Sequence, residues 1–109
     1  MTRIEKGTTM KLGILVNTDQ HLAHLQGLVK AAAQLAHQVD IFMMDAGTFL
    51  LDQEGFEEVG AMGNVTVSIC DHSAKELGVD TAGRPDWLTI GSQFNHATIA
   101  HEADRMIVL

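Results

Sequence analysis

Val65-Thr-Val-Ser-Ile-Cys70-Asp-His-Ser-Ala-Lys-Glu-Leu-Gly78 contains an apolar run that stops at the only cysteine of the chain, and a helix-like run that begins there. Val65, Val67 and Ile69 are β-branched, and only the small Thr66 and Ser68 separate them, as a buried parallel strand requires. Asp71 and Ser73 favour a helix start, Ala74-Lys-Glu-Leu77 continues it, and Gly78 suits the left-handed residue that stops it. A cysteine at such a corner lies at the carboxyl end of the sheet, the edge where open α/β folds build their sites. Unpaired N–H groups in the first helical turn would favour its thiolate. The alternative is a cysteine that serves only as a small buried hydrophobe.

Upstream, Val39-Asp-Ile-Phe-Met-Met44 is a second strand with Asp45 at its carboxyl end, and Met10-Lys-Leu-Gly-Ile-Leu-Val16 a first. Between them, Asn17-Thr18-Asp19 offers cap chemistry for a long helix running to about His37. Leu22, Leu25, Val29, Ala32, Ala33 and Ala36 share one face at helical spacing, and Leu28, Ala31 and Leu35 widen it to roughly half the circumference. Either alanine-rich composition or a subunit interface explains so broad an arc. Short helical pieces are expected around Phe49-Leu-Leu51 and from Phe56 to Met62. Downstream, Val79 to Ile90 reads as irregular. Ser92 caps a last helix to about Asp104, with Phe94, Ala97 and Ala100 inward, and Arg105-Met-Ile-Val-Leu109 closes the chain as a strand.

Strands alternating with helices predict an α/β fold: one three-layer α/β/α domain over residues 10–109, with a mainly parallel sheet of four to five strands. Residues 1–9 are polar and read as a loose N-terminal arm. The 109 residues, 46% of them hydrophobic, suffice for one modest core. A net charge of −7 argues against nucleic acid and anionic membrane surfaces as partners. A single cysteine forms no internal disulfide, and no apolar run approaches membrane-spanning length, so a cytoplasmic protein is expected.

At the carboxyl edge of such a sheet, Asn17, Thr18, Asp45, Cys70, Asp71 and His72 gather. His72, two residues from the sulfur, would support a thiolate or move a proton; otherwise it is a solvated residue of the first turn. Asp71 opposes it, placing negative charge beside the sulfur. The six histidines are scattered, with no CxxC pair and no HExxH, so no metal site is expected. Neither GxGxxG nor a Walker A pattern occurs, and Ser73 and Ser92 lack a nucleophile elbow, so no cofactor is called for. His101 reads as a packed or interface histidine.

Three pieces in this order resemble the DsrE/DsrF/DsrH family, which includes the TusBCD sulfur-relay subunits and YchN-like proteins. They are Lys11-Leu-Gly-Ile-Leu-Val16 with its helix; Val65-Thr-Val-Ser-Ile-Cys70 followed by Glu76-Leu-Gly-Val79; and Gly91-Ser92 through Ala103-Asp-Arg-Met-Ile-Val-Leu109. The resemblance implies a trimeric or hexameric assembly, and it implies that Cys70 matches the cysteine that carries persulfide sulfur. The chain would then take up sulfane sulfur on Cys70, with His72 assisting, and relay it to a protein thiol partner or another sulfur-relay subunit. Many relatives carry CxxC at this corner; here Cys70-Asp-His-Ser73 holds no second thiol. The other reading is a non-catalytic assembly or small-ligand-binding protein on the same fold.

Overall fold

The computed structural model describes residues 9–109, so the arm expected over residues 1–9 lies, except for its last residue, outside them. Five strands form one all-parallel sheet: β1 (Lys11–Val16), β2 (Gln38–Met43), β3 (Val65–Cys70), β4 (Leu88–Gly91) and β5 (Arg105–Val108), in the order β4-β3-β2-β1-β5. The α/β class is as the sequence predicts. β4 is the correction, because the segment read as irregular ends in an edge strand only four residues long.

The alternation of side chains divides the sheet into two unlike faces. Ile14 and Val16, Val39, Ile41 and Met43, and Val65, Val67 and Ile69 point to one side and form the core with Leu25, Val29 and Ala32 of α1 (Leu22–Gln34). Phe56 and Val59 of α2 (Phe56–Gly60) join them, with Leu50 and Leu51 of a 3-10 segment, Asp45–Asp52. Each fully buried side chain of this size contributes about 1.5–3 kcal/mol. The other face carries Asp40, Phe42, Thr66 and Ser68, and α4 (Gln93–Glu102) lies over it. Asp40 is buried without a cation among the described residues; the Thr66 hydroxyl donates to its Oδ1 at 2.7 Å and the Gln38 amide at 3.3 Å.

Two features of α1 differ from the sequence expectation. The helix starts at Leu22 after His21, which makes no side-chain cap bond, so Asn17-Thr18-Asp19 forms a loop rather than a cap. The Asn17 N–H instead donates to the Leu109 carbonyl, and the Asp19 carbonyl accepts from Gln53 Nε2. The helix also ends at Gln34 rather than His37: Ala36 turns left-handed at φ 59°, and the His37 N–H closes the end on Ala32 O at 2.8 Å. Of the widened apolar arc, Leu28 packs against the domain's own core, while Ala31, Ala33, Leu35 and Ala36 stay exposed.

α4 faces the sheet differently from its sequence reading. Ser92 caps it as expected, in a reciprocal box in which Ser92 Oγ accepts from the Phe94 N–H and Asn95 Oδ1 accepts from the Ser92 N–H. Phe94, Ala97 and Ala100, however, are exposed, and so is His101. The inward residues are Asn95, His96 and Ile99. Gly13 sets this rotation, since a Cβ there would lie 2.9 Å from Ile99 Cγ2, and His96 stacks on Phe42 with ring centroids 5.5 Å apart.

Candidate functional site

All five strands deliver their carboxyl ends to one edge, and the chain then leaves β2 and β3 in different ways. After β2, Met44 donates its N–H to Val16 O, and Asp45 adopts the left-handed φ of 48° that starts the 3-10 segment. The Thr48 hydroxyl donates to the Asp45 carbonyl at 2.8 Å, and Gly47 lies hard against the Val16 carbonyl. After β3, Cys70 is the residue preceding α3 (Asp71–Leu77), which Gly78 stops at φ 75°. β4 pairs with β3 so that Gly91 sits beside Cys70, and Ser92 and Gln93 follow at the start of α4.

These turns enclose a cavity of about 640 Å³ at the carboxyl edge. Its wall includes Cys70, Asp45, Asp71 and His72, four of the six residues the sequence reading grouped there. Asn17 and Thr18 do not line it. β2 stands between β1 and β3, and the 3-10 segment crosses the end of β1, so the first strand-to-helix corner faces elsewhere. Thr18 Oγ1 is buried there without a hydrogen-bond partner. The sequence reading missed Met44, Lys75, Gly91 and Gln93 as wall residues; the Gln93 amide reaches Met44 Sδ at 3.7 Å. Gly91-Ser92 was visible as a capping signal, but without β4 nothing placed it beside Cys70.

Cys70 is 4% exposed and lines this cavity. It makes no side-chain bond to the first-turn N–H groups of α3. A helix of seven residues also presents a smaller end charge than a long one, so the thiolate support expected from the helix start is slight. The charges around the cavity are largely paired. Lys75 Nζ lies 2.8 Å from Asp71 Oδ2 one turn earlier. That hydrogen bond first, and the carboxylate's charge second, hold the Lys75 amine above its ordinary 10.5, with burial opposing. The contribution of the charged Lys75 amine is therefore lost as pH rises through that raised value. His72 Nε2 contacts Glu76, and its side chain is 81% exposed. It is held on the outer surface of α3 rather than packed onto the sulfur.

Among the described residues, no group of three or more His, Cys, Asp or Glu side chains has the arrangement to hold a metal ion. No helix among them is long and apolar enough to cross a membrane. What the arrangement offers chemically is one thiol in the wall of an open recess, with ionisable groups in the same wall and no second thiol in the chain.

The fold has solved counterparts. The crystal structure of the ychN protein from E. coli superposes with a TM-score of 0.73 at 15% identity, covering 94% of this chain and 100% of that one. The protein of unknown function MTH1491 from Methanobacterium thermoautotrophicum gives 0.68 at 13% identity, covering 92% and 99%. At these identities the likeness speaks for the fold. No curated protein matches the sequence. The sequence does match the DsrE/DsrF-like family over residues 10–109, from the first strand to the last residue. Together with the five-stranded parallel sheet and its strand–cysteine–helix corner, this match means that the chain belongs to the DsrE/DsrF-like family.

Proposed function

We propose that this protein is a sulfur carrier in which Cys70 takes up sulfane sulfur as a persulfide and passes it to a partner thiol. The family is one related to sulfur relay. The observation that carries the reading is the position of the sole thiol in the wall of a recess at the carboxyl edge of the sheet. In the loading step the Cys70 thiolate attacks the outer sulfur of a donor persulfide. A new S–S bond forms at Cys70, the donor's S–S bond breaks, and the donor leaves as a thiolate. The second step repeats this with the acceptor's thiolate attacking the outer sulfur and Cys70 leaving, so no net oxidation occurs. A lone cysteine suits this cycle, because a neighbouring thiol would expel the sulfur by closing a disulfide. A persulfide exchange of this kind requires reduced thiols, consistent with a cytoplasmic site of action.

His72 belongs to the proposed site as a proton-handling residue at the rim, and Asp45 and Asp71 as residues that contact the incoming partner. Asn17 and Thr18, which do not line the recess, have no part in it. Burial of Cys70 favours the rival reading of an inert cysteine in a non-catalytic member, and a chemical test separates the two. After incubation with a low-molecular-weight persulfide and desalting, cold cyanide should release up to one equivalent of thiocyanate per chain, set by the single cysteine. Absence of thiocyanate with every persulfide donor would return Cys70 to the inert reading.

The same proposal includes homo-oligomerisation. Phe94 is 77% exposed on α4, Val108 61% on β5 and Leu35 56% at the end of α1. Large apolar side chains left wet forgo burial worth roughly 1.5–3 kcal/mol each, and association is the usual way to recover it. The native chain is therefore expected to scatter light as an oligomer at micromolar concentration, and Phe94→Glu to lower that mass with the helix content retained. A monomeric native chain would contradict this.

A further inference from the structure

The charges at the rim of the recess point to which sulfur compounds Cys70 meets. Asp71 is matched by Lys75 at 2.8 Å, and His72 lies against Glu76. Asp45 has no ion-pair partner among the described residues, and its side chain is exposed where the recess opens. Its position is not free to drift. The left-handed backbone at φ 48°, the Thr48 hydroxyl on its carbonyl and the contact of Gly47 with Val16 O all fix where the segment leaves β2. A smaller depression beside the recess is shared by Asp45, His72 and Glu76, the last two in contact with each other. The lining charges are Asp45 and Asp71 against Lys75, two negative and one positive, in a chain whose formal charge is −7.

We propose that Asp45 makes Cys70 selective for sulfur donors and acceptors whose reacting sulfur is flanked by positive charge, and against small dianions such as thiosulfate. This deepens the sulfur-carrier reading and rests on it. A persulfide is itself anionic, and the donor thiolate that leaves on transfer is anionic too. A partner that surrounds that sulfur with Lys or Arg side chains brings the compensating charge with it and finds Asp45 as its counter-ion. A dianion brings none and meets, in the wall of the recess that Cys70 lines, a carboxylate with no ion-pair partner among the described residues. The partner implied is a protein with a basic surface around its reactive cysteine.

The test uses the full chain and reagents that modify any accessible thiol, so it does not depend on sulfur loading. The rates of Cys70 modification by 2-ammonioethyl and 2-sulfonatoethyl methanethiosulfonate are each divided by the rate with the neutral methyl reagent. The same ratios are measured for free 2-mercaptoethanol. The cationic-to-anionic ratio for the protein should exceed the free-thiol ratio by about threefold or more at low salt. It should fall towards the free-thiol value near ~1 M salt, where the screening length is about 3 Å. Asp45→Asn should lower it in the same direction, and asparagine tolerates the left-handed backbone that this position needs. Equal ratios for protein and free thiol would overturn the selectivity while leaving the carrier reading standing. So would a preference that is indifferent to salt, or one that Asp45→Asn leaves unchanged. If Cys70 in the folded chain reacts with none of the three reagents, the carrier reading falls and this inference falls with it. The salt series on the native chain tests the charge preference itself, and Asp45→Asn, with its fold checked by circular dichroism, assigns that preference to Asp45.

Discussion

Cys70→Ser is expected to abolish thiocyanate release after persulfide loading, from up to one equivalent per chain to none. The chain holds no other thiol, so no second residue can take the sulfur. Serine keeps the size and the corner geometry but is far too weak an acid and nucleophile to attack a persulfide. Cys70 also packs as a small side chain at 4% exposure, and serine is a modest change there. Circular dichroism should accordingly show the fold retained. If the substituted protein loads as the native one does, sulfur is being held elsewhere and the carrier assignment is wrong.

A second large effect should come from a residue with no chemistry of its own. Gly47→Ala places a Cβ 2.1 Å from the Val16 carbonyl oxygen and 2.6 Å from its carbon, with Asn17 N at 3.1 Å. All three atoms are backbone at the end of β1 and cannot swing aside as a side chain can. Relief requires moving the 3-10 segment away from the sheet edge, at a cost of about 3 kcal/mol. A denaturant titration should show the midpoint falling accordingly. Gly63→Ala is the control, because a Cβ there meets nothing within 4 Å, and its midpoint should hardly move. An unchanged midpoint for Gly47→Ala would show that the segment carrying Asp45 is held less tightly than the structure indicates.

The central strands were legible because their chemistry is redundant. β3 alternates three β-branched residues with two small ones, and it ends where helix-starting residues begin, so strand, corner and helix support one another. β4 offers no such support. Leu88-Thr-Ile-Gly91 is short, lies at the sheet edge and follows Gly83 and Pro85, so its local pattern is that of a loop. Its pairing with β3 is a tertiary fact. The rotation of α4 was illegible for a related reason. Phe94, Ala97 and Ala100 line up as an apolar stripe, yet the missing side chain at Gly13 draws Ile99 down instead. Nothing near α4 in sequence reports that space.

The site divides along the same line. Asp45, Cys70, Asp71 and His72 follow from the rule that parallel strands present their carboxyl ends together, which needs no knowledge of strand order. Excluding Asn17 and Thr18 does need it, since β2 lies between their strand and β3. Gly91 and Gln93 were lost with β4. The pairing of Lys75 with Asp71 and of His72 with Glu76 sits at helical spacing of four, visible in the sequence to anyone asking which charges along α3 cancel. That cancellation leaves Asp45 as the charge in the recess wall with no ion-pair partner among the described residues.

The most direct test of the central claim is peptide-resolved mass spectrometry of the native folded chain after brief exposure to a persulfide donor, trapped by alkylation before digestion. The account predicts that the peptide containing Cys70 gains the mass of one sulfur atom beneath the alkyl group, and that a subsequent excess of acceptor thiol removes it. A Cys70 peptide that carries no added sulfur under these conditions, while the same residue loads readily once the chain is unfolded, would contradict it.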